Sequence, residues 1–111
     1  MGLRIERHDG YVLLVGWALP GATATTFGRL ILIRSGAERD EHLLRHELEH
    51  VRQWHEHGVV GFLVRYLRPY VRWRLAGYPH WGAYRRIPFE VEAEWRARRA
   101  REGLTAGGGS I

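Results

Sequence analysis

The chain contains no cysteine and no lysine. The first absence excludes disulfides and every thiolate metal site, so a bound metal would have to rest on His and carboxylate side chains. The second leaves Arg to supply all 17 basic residues, a mark of GC-rich coding more than of chemistry. Long apolar runs are missing too. The stretches 10–28 and 58–64 are broken by glycine or too short, so no transmembrane helix is expected. What is present suits one compact domain: 111 residues, 45% of them apolar, with a formal charge of +5 that leaves contact with acidic partners open. A domain this small has room for a single metal ion and little room for a large cofactor.

Leu3–Arg7 and Tyr11–Trp17 read as strands around the turn signal Asp9-Gly10, and Leu3, Ile5, Tyr11, Leu13, Val15 and Trp17 are expected to share one buried face. Tyr11–Leu19 followed by Ala22-Thr23-Ala24 has the outline of a signal peptide with cleavage near Ala24. The preceding segment carries Glu6 and Asp9 beside Arg4 and Arg7, however, so paired strands and a cytoplasmic chain are the preferred expectation. Arg29–Arg34, rich in Ile and Leu, is a third strand. Asp40 is placed to cap a helix from about Glu41 to His57 that stops at Gly58. A second helical stretch, Val59–Leu75, should kink or restart at Pro69. The segment 76–87 reads as a loop, and Pro88 opens a third helix that ends at Gly103. The expectation is an α+β domain over 1–103, with a small, mostly antiparallel sheet, followed by a flexible Gly-rich tail over 104–111.

The chemistry is concentrated in His46-Glu47-Leu48-Glu49-His50. Two His four apart on a helix point the same way and can share one metal. The Glu that follows the first His stands beside that metal, where it can take a proton from a zinc-bound water. On a helical wheel Leu43, His46, Glu47, His50, Val51 and Trp54 fall within an arc of roughly 140°. The paired imidazoles therefore lie on the face that enters the core.

Zinc needs a third protein ligand, and Glu90 in the first turn of the third helix is the best candidate. Glu94 lies one turn on, beside the small residues Ala93 and Ala97, and can accept a hydrogen bond from the second ring nitrogen of a ligating His. The plainer reading makes Glu90 and Glu94 surface acids paired with Arg86 or Arg98. Glu92 points elsewhere and should be solvated. His42 falls just off the apolar arc and reads as a rim residue; His8, His55 and His57 receive no role.

His46–His50 together with Glu90-Val91-Glu92-Ala93-Glu94 resembles the gluzincin metallopeptidases, which follow the same helix motif with a zinc-binding Glu and an acidic residue four positions later. In size and layout the chain is similar to the minigluzincins, over roughly residues 29–101. That resemblance implies a zincin-like fold, Zn2+ held by His46, His50 and Glu90, Glu47 as catalytic base, and a peptide or protein substrate. It also makes Glu94 the acid behind a ligand, although many relatives carry Asp there. It implies that Arg29–Arg34 is an edge strand above the cleft. The family uses a His or Tyr to stabilise the oxyanion; Tyr84 is favoured here over His80 and Tyr78.

Two rivals stand beside the enzyme. Arg65–Arg74, with Tyr66, Tyr70 and Trp73 interleaved, could contact nucleic acid or an anionic surface. An amphipathic helix with aromatics inward and solvated Arg accounts for the same pattern and weighs against nucleic acid. The other rival is a zinc-stabilised protein without turnover, which gives an intact Glu47 nothing to do.

Overall fold

In a computed structural model, residues 2–100 and 102 are described with their side chains, and 101 and 103–110 only as part of the last helix. Asp9-Gly10 reverses the chain, with Gly10 at φ 89°, so that β1 (Arg4–His8) pairs antiparallel with β2 (Tyr11–Val15). A third strand, β3 (Ala24–Phe27), turns through Gly28 into β4 (Leu30–Ile33), and β4 lies parallel to β2. The order is β1-β2-β4-β3. Two of the three pairings are antiparallel, so the sheet is mixed.

Two expectations are corrected here. Strand β3 was not anticipated, because Ala24-Thr25-Thr26-Phe27 offers no hydrophobic alternation to count. It takes the edge of the sheet, and the strand expected there, β4, is interior. The shared buried face also fails in part. Leu13 and Val15 stand opposite Glu6 and Arg4, so side-chain alternation sends Leu3 and Ile5 to the other face, where they are 68% and 61% exposed. Trp17, past the end of β2, is about half exposed as well.

The core lies between the inner sheet face and the next helix. Leu13, Val15, Ile31 and Ile33 pack against Leu43, Leu44, Leu48 and Val51. Burying each of those four sheet residues contributes about 1.5–3 kcal/mol. Helix α1 (Glu41–Leu75) is capped by Asp40, whose side chain accepts from the Leu43 N–H. Gly58, at φ 72° and ψ 175°, breaks it into two runs, in line with the stop expected there. No new helix starts at Pro69: within α1 the backbone leaves the helical region only at Gly58. The proline ring deprives the Arg65 carbonyl of its partner, and Arg65 is exposed to solvent that can replace it.

The segment read as a loop contains a short helix, α2 (His80–Arg85). Helix α3 (Pro88–Ser110) starts at Pro88 as expected. It does not stop at Gly103 as expected but continues to Ser110; the side chains of the expected tail over 104–110, and residue 111, lie outside the described residues. Ala93 and Ala97 are buried where α3 meets α1, which lets the two backbones approach closely. Phe62, on the second run of α1, stacks on Trp54 of the first run at 4.0 Å between ring centres and packs on Phe89 of α3. Among the described residues no helix is long and apolar enough to cross a membrane.

Candidate metal centre

The helical spacing of four puts His46 and His50 on one side of α1, with their rings 4.9 Å apart. The first turn of α3 brings Glu90 against both. Its Oε1 lies 2.9 Å from His46 Nε2 and 3.2 Å from His50 Nε2. The three donor atoms fall within 4.8 Å of one another, and His50 and Glu90 are buried. Two metal bonds of 2.0–2.1 Å at a tetrahedral angle place their donors about 3.3 Å apart, so the spacing fits a small divalent cation.

The second nitrogen of each ring sharpens that fit. His46 Nδ1 is 3.1 Å from Glu94 Oε1. His50 Nδ1 is 2.8 Å from Gln53 Oε1, whose amide nitrogen donates to Phe89 O and Glu92 Oε1. Both rings thus face acceptors at both nitrogens. A neutral imidazole carries one proton and satisfies one acceptor. Two cationic rings would satisfy all four contacts, and a metal ion in place of the Nε2 protons would do so as well. Without a metal, burial pulls the His46 and His50 pKa values down, but the Glu90 carboxylate outweighs it and holds both above the ordinary value. The same imidazoles and the Tyr66 hydroxyl overcome the burial of Glu90 and hold its carboxyl far below the usual range.

Glu47, next to His46, is also buried. The Thr26 hydroxyl on the edge strand β3 reaches its Oε1 at 2.8 Å. Burial pushes the Glu47 carboxyl upward, against the pull of His50, Thr26 and His46. The result is a desolvated carboxylate with one oxygen held and the other free, an arrangement suited to exchanging a proton with a neighbour.

The sequence-expected residues fall as follows. His46, His50 and Glu90 come together, Glu47 flanks them, and Glu94 sits behind His46. Glu94 is also paired with Arg98, the partner assigned by the plainer reading. Arg86 is turned away from Glu90 and lies over the Tyr78 ring at 4.0 Å. Tyr84 lies beside the Glu90 carboxylate, half-buried, and burial raises its hydroxyl pKa. Glu92 is not merely solvated, because Oε1 accepts from Gln53 and Arg52. Nor is His42 a bare rim residue: its Nε2 lies 2.9 Å from Glu94 Oε2.

Four participants escaped the sequence reading. Tyr66 donates to Glu90 Oε2, holding the oxygen that faces away from the imidazoles. Gln53, fully buried, orients His50. Thr26 holds Glu47, and His42 backs Glu94. Gln53 could have been found by its i+3 spacing from His50. The spacing of Phe62, Tyr66 and Tyr70 marks an inward face but does not say what it meets. Thr26 lay in the unrecognised strand.

Residues 18–58 are similar to a known family, the eCIS core domain. That span is less than half of the chain; it includes β3, β4, Thr26, His46, Glu47 and His50 and ends before Tyr66 and Glu90. No curated protein and no solved structure matches the chain.

Proposed function

We propose that this chain is a zinc-dependent, zincin-like peptidase of gluzincin type, with His46, His50 and Glu90 as metal ligands and Glu47 as general base. The observation that carries the reading is the double commitment of the imidazoles. Each presents Nε2 to Glu90 Oε1 while its Nδ1 is already engaged by an acceptor. Zinc is the cation favoured by two imidazoles and one carboxylate with a further position open. Bound there, it supplies a Lewis acid that polarises a carbonyl and acidifies a coordinated water.

The chain's own residues divide the remaining work. Glu47 takes a proton from water and hands it to the leaving amine, and its raised pKa suits both transfers. Thr26 fixes the carboxylate through Oε1, leaving Oε2 for the proton. Gln53 and Glu94 set the tautomers of His50 and His46 by accepting from Nδ1. Tyr66 engages Oε2 of Glu90, so the ligand presents Oε1. Tyr84, beside the same carboxylate, is the phenol assigned to a developing oxyanion, Tyr66 being committed to Glu90 Oε2. Substrate peptide would pair with the open side of β3, the edge strand that also carries Thr26.

A second reading, a zinc-stabilised or latent protein, is favoured by one observation: Glu47 is only 5% exposed, which restricts a substrate's approach to it. The substitution Glu47→Gln separates the two. It is expected to leave zinc content unchanged while abolishing cleavage of a quenched fluorescent peptide library. A Gln variant as active as the parent removes Glu47 from the reaction, and a chain that takes up no zinc ends the reading altogether.

A further inference from the structure

The second run of α1 has two apolar faces where a surface helix needs one. Phe62 and Tyr66 turn inward, toward His50, Trp54 and Phe89. On the far side Val60, Leu63, Val64, Leu67, Val71 and Leu75 remain exposed, between 40% and 84% each. At about 100° per residue these six span an arc of roughly 120°. Arg68, Arg72 and Arg65 line one flank of that arc, and Arg74 sits at its C-terminal end. Isolated exposed aliphatics are ordinary, but a continuous stripe over four turns marks a contact surface.

Charge says what the stripe contacts. From His57 to Phe89 the chain contains no Asp or Glu and six Arg. Every carboxylate of the protein lies outside that segment, so its Arg residues have no acid on their own helix run to pair with. Arg65 and Arg74 donate instead to backbone carbonyls of Gly61 and Tyr78. A groove of about 490 Å³ beside the stripe joins Arg65 and Arg68 to Val64, Pro69, Pro88 and Phe89, placing cationic and apolar groups side by side. Trp81, on the acid-free α2, is 59% exposed.

We infer that this face of α1 lies in the plane of an anionic lipid bilayer. The aliphatic stripe enters the boundary between headgroups and acyl chains, and the flanking Arg residues contact lipid phosphates. Nucleic acid fits the charge but not the stripe, and the aromatics that would stack on bases are partly spent on the interior: Phe62 is buried and Tyr66 is engaged with Glu90. The inference is independent of the metal centre, since none of the stripe residues or their flanking Arg takes part in it.

The test is flotation of the purified full chain with vesicles of phosphatidylcholine alone, and of phosphatidylcholine and phosphatidylglycerol in equal parts, at low and high salt. The chain is expected to float with the anionic vesicles, less so as salt rises, and not with the neutral ones. Each Arg among 65, 68 and 72 changed to Gln lowers the partition about fivefold. Leu67→Ser with Val71→Ser abolishes flotation while circular dichroism and zinc uptake stay unchanged, both positions being about half exposed. Failure to float with anionic vesicles overturns the inference, as does equal flotation with neutral ones. So does a dimer broken by the Ser pair, or salt-sensitive binding to RNA, when vesicles are left unbound.

Discussion

Removing one oxygen atom tests how the proposed metal centre is held. Tyr66→Phe deletes the hydroxyl that donates to Glu90 Oε2 and keeps the ring, which still packs on Phe62. A buried hydrogen bond to a charged group contributes about 1.5–3 kcal/mol. Residues that hold a metal ligand in place cost about 10–100-fold in affinity when lost. Tyr84 lies beside the same carboxylate and takes over part of the task, so the loss for Tyr66→Phe alone should fall near the lower end, about tenfold. Tyr84→Phe alone should cost less. The double variant should lose more than the two single losses combined, because either phenol partly covers for the other. Competition with a chromophoric zinc chelator at constant pH measures the affinities, and melting in the presence of EDTA separates loss of fold from loss of metal. A double variant that folds normally and binds zinc as tightly as the parent would refute the assignment of Tyr66 to the site.

Gln53→Leu deprives His50 Nδ1 of its acceptor and Phe89 O of a donor in a fully buried setting. It should cost about 1–3 kcal/mol for each orphaned group in denaturant melts, with zinc affinity falling about 10–100-fold by the same chelator assay. Gly58→Ala meets no neighbour within 4 Å, so its whole cost comes from a backbone conformation reserved for glycine at φ 72°; about 1–3 kcal/mol should be lost in a thermal or denaturant melt. Stability of the metal-free chain should depend on pH in a defined sense. The His46 and His50 pKa values are raised above 6.5 in the fold, so their contribution is complete below 6.5 and fades as pH climbs through the raised values. Glu90 is lowered from 4.5, so its contribution is complete above 4.5 and fades as pH drops. Raised Glu47 adds a further loss toward high pH. The metal-free melting temperature should therefore peak at about pH 5–6 and decline toward pH 8, while the increment produced by zinc grows over the same interval as protons cease to compete for Nε2. Parallel curves with and without zinc contradict this.

The motif helix was legible because every signal for it is local: a cap at Asp40, an apolar arc, a stop at Gly58, and His46, Glu47 and His50 in fixed register. Glu90 was legible because a carboxylate beside Pro88 is held at a helix start, and the small Ala93 and Ala97 announce close packing. The sheet was less so. Strand β3 has two Thr where a core strand shows Ile or Val, and its place at the edge follows from a parallel β2–β4 pairing that no local pattern encodes. The facing of β1 was misread for a related reason. Its alternation shows two faces, but only the register with β2 decides that Arg4 and Glu6, not Leu3 and Ile5, share a side with Val15 and Leu13. Tyr66 belongs to a run whose angle to the motif helix is set at Gly58, and that angle is a tertiary property.

The seam between α1 and α3 is filled by alanines and crossed by polar bridges: Gln53 to Phe89 and Glu92, Glu90 to two imidazoles, Glu94 to two more nitrogens. Alanine brings little grease to such a seam. Beyond the packing of Phe89 on Phe62 and His57, cohesion there rests on polar and ionic contacts, and a clasp of this kind is as strong as what it holds. If the proposed cation is what this clasp holds, a cell short of trace metal would carry the chain in a looser form, more open to proteolysis, and the amount of protein would follow metal supply.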